Sequence, residues 1–287
     1  MSPSVSAFQS IFYQPQVADQ DIDTSIWPDA FRAVRDKGFE AIVFQWTASG
    51  DDFEDAQAKQ WLRERVGEAV EADLKIVMGL YEDPDMFSAV AVEDDLLEPY
   101  FLKLTQKNQS LAEYWVKTLP AQALLGWYLP FEIDDRRWRA PDALAALTSA
   151  LHRDVQALKM VSEKPVYISS FFRGNATPTA YEDMLTTIRD QSGVRLWVQD
   201  GSGNRRLSAA ERQLYLSSLS QCQKSPVDGL VFEIFREKGT QQTFQAKSLA
   251  PNQLRAALKQ HAPCDGDSVF FSLRYFYPLI SGAQTSK

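Results

Sequence analysis

Histidine and cysteine are nearly missing from this chain, with two of each among 287 residues. His152 and His261 fall on or at the end of predicted helices, away from strand ends. That excludes a Ser-His-Asp triad, a Cys-His pair and a histidine-built metal site. Basic residues are also in short supply. Lys and Arg total 30 against 38 Asp and Glu, for a net charge of −8 and a pI near 5.0. Nucleic acid and anionic membranes both require a basic face, so neither is an expected partner. No apolar run reaches the length of a membrane span. The first residues, Met1 to Ala7, lack the basic start and apolar stretch of a signal peptide. Glycine-rich phosphate loops are lacking as well. Gly201-Ser202-Gly203 begins like a dinucleotide turn, but Arg206 stands where the third glycine would be, and a strand-to-helix turn accounts for it better.

What the chain does have is aromatic residues (7 Trp, 10 Tyr, 17 Phe) and a regular alternation of short apolar runs with helical patterns. The runs are Phe8–Gln14, Ala41–Trp46, Lys75–Asp83, the segment ending in GWYLPFEIDD (Gly126–Asp135), Pro165–Phe172, Arg195–Asp200, Gly229–Phe235 and Ser268–Phe276. Helices are predicted over about 27–37, 55–72, 93–118 and 141–160. Thr179 with Glu182, and Ser208 with Glu211, read as capping boxes, and Pro251 opens a helix ending near His261. Glu93, Asp94 and Asp95 read as a helix start. Near-continuous apolar strands between crossover helices imply a parallel sheet covered on both faces. Eight of them in this length imply an α/β fold of the (β/α)8 TIM-barrel type, with the last helix reduced and residues 1–287 as a single domain.

In such a barrel chemistry sits at the carboxyl ends of the strands. Those ends carry Tyr13, Gln14, Gln45, Trp46, Tyr81, Glu82, Glu132, Asp134, Asp135, Arg173, Gln199, Asp200, Glu233, Arg236, Arg274 and Tyr275, with Trp138 and Trp197 nearby. Amides and carboxylates bind sugar hydroxyls, and aromatic faces stack on the C–H face of a pyranose. Two carboxylates stand out. Glu132 closes strand four after the apolar run Trp127–Phe131. Glu233 lies among Phe232, Ile234 and Phe235, where an unpartnered charge is costly to bury. Strands four and seven lie across a barrel mouth, so the pair suits glycosidic-bond hydrolysis, with Glu132 as general acid/base and Glu233 as nucleophile. Tyr13, Gln45, Trp46, Tyr81, Trp138, Asp200 and Tyr275 are the candidate sugar contacts. The chemistry needs no metal or organic cofactor. The competing account of Glu233 is a structural salt bridge to Arg236 or Arg274. The cluster Asp134, Asp135, Arg136, Arg137 and Arg139 reads as a solvated loop before a site for a charged sugar.

Glutamates after strand four and at strand seven resemble the arrangement of clan A glycoside hydrolases. The chain departs from that clan at Phe131, where an asparagine usually precedes the acid/base. More of the chain, in Phe12-Tyr13-Gln14-Pro15, Phe44-Gln45-Trp46, Gly126–Asp135 and Val198-Gln199-Asp200-Gly201, resembles the bacterial domain-of-unknown-function 4434 family. That resemblance implies a glycosidase-like barrel, often exported and associated with exopolysaccharide production. The expectation is a periplasmic, retaining, endo-acting glycoside hydrolase on a bacterial polysaccharide, monomeric. The alternative is a barrel that binds polysaccharide without cleaving it. Cys222 and Cys264 precede successive late strands, at one end of the barrel. A disulfide between them would suit an oxidising compartment, and two unrelated buried thiols are the other possibility.

Overall fold

A computed structural model describes residues 7–90, 97–204, 206–238 and 245–280, apart from the side chain of residue 87. Eight parallel strands close into a barrel: β1 (Gln9–Tyr13), β2 (Ala41–Phe44), β3 (Lys75–Gly79), β4 (Leu124–Asp134), β5 (Val166–Phe171), β6 (Arg195–Gln199), β7 (Gly229–Glu233) and β8 (Asp267–Phe271). Each pairs with its sequence neighbour, and β8 returns to β1 with Gln9 opposite Ser268. The α/β barrel expected from the strand count is the observed fold. Helices α1 (Ile26–Asp36), α2 (Ala56–Glu71), α3 (Leu97–Thr118), α4 (Pro141–Val161), α5 (Pro178–Ser192), α6 (Ala209–Leu219) and α7 (Pro251–Ala257) lie between strands, and a four-residue α8 (Leu273–Phe276) follows β8.

Local chemistry sets the helix boundaries. The Asp55 carboxylate accepts from the Gln57 and Ala58 amides and starts α2, and Ser208 with Glu211 forms the expected capping box of α6. Thr179 and Glu182 do not form one. Thr177 caps α5 through the Ala180 amide, and Pro178 takes the first helical position, where its missing N–H costs nothing.

Several element ends differ from the sequence reading. The third run breaks after Gly79, and Tyr81–Glu82 pairs instead with Ala48–Ser49 in a two-residue bridge. Gly79 allows this crossing, since a Cβ there would stand 2.2 Å from the Gln45 and Phe44 carbonyl oxygens. Strand eight stops at Phe271, so Arg274 and Tyr275 sit on α8. After β7 the chain enters an antiparallel hairpin, Phe235–Lys238 with Gln245–Ser248, which the sequence did not announce. A short helix, Met86–Ala89, precedes α3, and Glu93, Asp94 and Asp95 lie outside the described residues.

The core has two layers. Phe8, Phe12, Val43, Val77, Tyr128, Tyr167, Trp197, Val231 and Val269 fill the barrel lumen. Trp27, Phe31, Phe44, Trp61, Trp127 and many aliphatics pack between strands and helices. The Trp197 ring lies between Tyr128 and Tyr167, stacked on both, so it plugs the lumen and is closed to ligands. Side chains alternate along a strand, and the lumen cluster therefore fixes which strand-end residues point inward.

At the amino end of the barrel, Cys222 and Cys264 are joined in a disulfide, Cα atoms 5.0 Å apart, linking the turn after α6 to the turn before β8. Among the described residues no helix is long and apolar enough to cross a membrane.

Candidate active site

Phe12 faces the lumen, so Gln14 two residues on faces the mouth and Tyr13 faces out. Val43 puts Gln45 inward, Tyr128 puts Glu132 inward across from inward Ser169, and Trp197 and Val231 do the same for Gln199 and Glu233. The mouth is thus ringed by Gln14, Gln45, Glu132, Gln199 and Glu233, with Phe12, Phe271 and Tyr128 beneath. The Tyr128 hydroxyl and Ser169 Oγ lie 2.7 Å apart, which fixes that floor.

Glu132 is half-buried at the end of β4. Burial raises its proton affinity above the ordinary carboxylate range. The Gln199 amide and the Arg173 guanidinium pull the other way, and Glu82 adds to the rise. Glu82 itself is shifted upward, chiefly by burial, while accepting from Ser49 Oγ.

Glu233 is almost fully enclosed, 6% exposed. Its proton affinity is raised by burial and then by the charge of Asp200, and lowered by backbone donors. Those donors are the Gly203 amide at 2.5 Å and the Asn204 amide at 3.4 Å, both to Oε2. The Gly201–Asn204 turn is therefore a lid over Glu233. Asp200, also shifted upward by burial, accepts from the Ser202 amide at 3.0 Å and from the Glu233 amide at 3.2 Å. Asp200 and Glu233 form a carboxyl pair in which the charge of Asp200 raises the proton affinity of Glu233, while backbone donors to each carboxyl oppose the rise.

Among the described residues, no ion pair joins Glu233 to Arg236 or Arg274. Arg236 donates to the Ser202 carbonyl, and Arg274 pairs with Asp19 and donates to the Gln14 carbonyl.

The remaining sequence candidates divide. Gln45 is aimed at the mouth, with an Oε1 that has no hydrogen-bond partner among the described residues. Trp46 is half-buried on the rim, its Nε1 donating to the Pro15 carbonyl at 2.9 Å. Tyr275 is partly exposed beside Phe235. Asp200 supports Glu233 from behind.

Three expectations are corrected. Tyr13 is wholly buried against Trp27 and Phe44, its hydroxyl donating to Asp19 at 2.8 Å, because parity sends it to the helix layer. Trp138 is 2% exposed and packs on Phe101. Tyr81 is 7% exposed and faces a flank cavity between α2 and α3. The acidic end of β4 is also structural in part. Asp135 is fully buried and accepts from the Arg173, Asn175 and Ala176 amides and the Asn175 side chain, which fixes the loop carrying Arg173. Asp134 accepts from the Arg136 and Arg137 amides in a local turn.

Sequence reasoning left Gln14, Arg173, Gln199 and the Gly203 lid out of the site. The first three sat at strand ends already singled out. The lid's signal was the two glycines of the turn.

A family model described as "Domain of unknown function (DUF4434)" matches residues 9–278. The uncharacterized protein YbcH of Escherichia coli (strain K12) is 36% identical over 283 residues, 98% of this chain and 94% of that protein. Among solved structures, a GH18 chitinase from Pseudoalteromonas aurantia has a TM-score of 0.51 at 9% identity, covering 96% of this chain and 98% of its own. ZgEngAGH5_4 has a TM-score of 0.54 at 13% identity, covering 96% and 94%. At these identities the likeness is one of fold.

Proposed function

This chain belongs to the DUF4434 family, and from that premise and the geometry of the barrel mouth we propose that it is a glycoside hydrolase acting on a bacterial polysaccharide. One observation carries the reading. Two inward-facing glutamates, Glu132 and Glu233, end strands four and seven of the barrel, both with raised proton affinity and neither tied into an ion pair among the described residues. The fold shared with a GH18 chitinase supports it.

The proposed reaction is retaining and endo-acting. Glu132 is the general acid, because burial raises its proton affinity while its partial exposure leaves it open to the glycosidic oxygen. Glu233 is the nucleophile. It acts as the anion, which the Gly203 and Asn204 amides stabilise against burial and the charge of Asp200. Attack by Glu233 on the anomeric carbon expels the leaving sugar as Glu132 protonates it. Glu132, now a base, takes a proton from water, which displaces Glu233 and restores both groups. Gln14, Gln45 and Gln199 hydrogen-bond sugar hydroxyls, and Trp46 and Tyr275 supply apolar faces at the rim.

Release of reducing ends from purified exopolysaccharides tests this. The wild type should release them, and Glu132→Gln and Glu233→Gln should not. Undiminished release by either variant overturns the assignment. The competing reading, binding without cleavage, is favoured by Phe131, which is a core residue packed toward Phe101 and presents no amide to a sugar. Saturable polysaccharide binding by a wild type that releases no reducing ends would establish it. The same proposal places the chain in the periplasm, and the Cys222–Cys264 bond supports an oxidising compartment. Two free thiols in denatured, unreduced protein prepared from periplasm would remove that support.

A further inference from the structure

A second cavity, of about 410 Å³, opens on the flank of the barrel between α2 and α3, outside the lumen. Its volume falls in the range of small-molecule sites, roughly 300–1,000 Å³. The walls are mostly apolar: Leu62 from α2, Leu111 and Tyr114 from α3, and the outward ring of Tyr81, over a floor of buried Trp115.

Three lysines, Lys59, Lys103 and Lys107, line it against a single carboxylate, Glu54. In a chain of net charge −8 this gathering runs against the average field. Lys107 is held over the Tyr81 ring, its Nζ 3.7 Å from the centroid and 3.8 Å from Glu54 Oε1. No described residue forms an ion pair with Lys59 or Lys103. Apolar walls exclude a fully hydrated ion, and three lysines against one carboxylate in the lining disfavour a neutral oil.

We propose that this flank cavity binds an amphipathic anion, with an apolar ring or short acyl body against Leu62, Leu111 and Tyr114 and an acidic head between Lys59 and Lys103.

The probe is anilinonaphthalene sulfonate, followed by its fluorescence on the intact chain. The wild type should show one saturable site whose affinity falls as salt rises. Lys59→Gln with Lys103→Gln should weaken it about fivefold, the effect of removing two exposed ion pairs. Ser110→Trp, an exposed position at the cavity edge, should abolish binding by filling the space. Glu132→Gln should bind as the wild type does, which separates this site from the hydrolase reading. Neutral phenylnaphthylamine should bind more weakly and ignore the lysine changes. Equal melting temperatures confirm that the variants are folded. Absence of a saturable site overturns the proposal, as does affinity unchanged by salt and by lysine removal, or full binding in Ser110→Trp.

Discussion

Asp267 and Glu233 are both buried carboxylates directed into the same lumen from adjacent, register-paired strands, and they differ in what surrounds them. At the floor, Asp267 accepts from Trp197 Nε1 at 3.0 Å and the Phe8 amide at 3.3 Å, beneath the aromatic plug. At the mouth, Glu233 is held by a two-glycine lid beside a second carboxyl, Asp200. Burial is the largest cause of a raised proton affinity in both. A perturbed carboxyl is therefore not in itself a sign of chemistry. What distinguishes the two ends is position: Glu233 shares the mouth with the partly exposed Glu132, whereas Asp267 lies beneath the aromatic plug, in keeping with the division of such barrels into a stability face and a reactive face.

The largest expected effect tests that division directly. Glu132→Gln should lower polysaccharide hydrolysis by about 10²–10⁴-fold, the usual contribution of general acid–base catalysis. Glu233→Gln should lower it at least as far. Asp267→Asn should leave kcat within about twofold, because Asn still accepts from Trp197 and does not touch substrate. If Asp267→Asn is as inactive as Glu132→Gln, the two ends are not functionally distinct.

The disulfide tests the floor alone. Its sequence separation of 42 residues gives about 4 kcal/mol of stabilisation in the chain-entropy model. Replacing Cys222 and Cys264 together by Ser should lower the denaturation midpoint accordingly, without changing kcat measured below the new melting point. A loss of kcat with unchanged stability would contradict the comparison.

Titration gives the next effect. Asp267 is raised from 3.8 to about 6 in the folded chain. The native state then holds a proton that the unfolded state has released. This contribution is complete below pH 3.8 and is lost as pH rises through about 6, a fall of up to roughly 3 kcal/mol. Asp154, buried between α4 and α3 and raised from 3.8 to about 7 chiefly by burial, extends the same fall to neutral pH. Urea unfolding from pH 4 to 7 should show stability decreasing with pH. Asp267→Asn should flatten the slope between about 4 and 6, and Asp154→Asn should flatten it up to about 7. An unchanged slope in both would show that neither carboxyl holds its proton.

The sequence disclosed the barrel and the two glutamates because both depend on local signals: apolar runs of strand length, and charge where a run stops. It did not disclose which strand-end residue enters the mouth. Tyr13 and Gln14, or Gln199 and Asp200, differ by one position, and one position reverses the face. A sheet buried on both faces has no polar–apolar alternation to break that tie. One position apart, Tyr13 turns to the helix layer and Gln14 to the mouth. Tyr81 failed for another reason: Gly79 ends β3 early and the chain leaves the strand's parity. The lid over Glu233 is a tertiary contact, legible only once β6 and β7 are adjacent.

The smallest effect is also the sharpest test of mouth against floor, because it places the same substitution at both. A Cβ at Gly203 would lie 2.6 Å from Phe235 Cε2 and 2.9 Å from Glu233 Oε2. A Cβ at Gly126, near the start of β4, would lie 2.6 Å from Tyr167 Cε2 and 2.9 Å from the Pro165 carbonyl oxygen. Both alanine variants are overpacked and should lose about 1–3 kcal/mol of stability. Their activities should part. In Gly203→Ala the turn must lift from Glu233, its amide donors withdraw, and the anion they favour becomes harder to form. The acidic limb of the pH–activity profile, which requires that anion, should move to higher pH, and kcat at neutral pH should fall about tenfold. Gly126→Ala disturbs only the plug, so its profile should keep the wild-type shape. Equal shifts in the two variants, or none in Gly203→Ala, would mean that the lid does not govern the charge on Glu233.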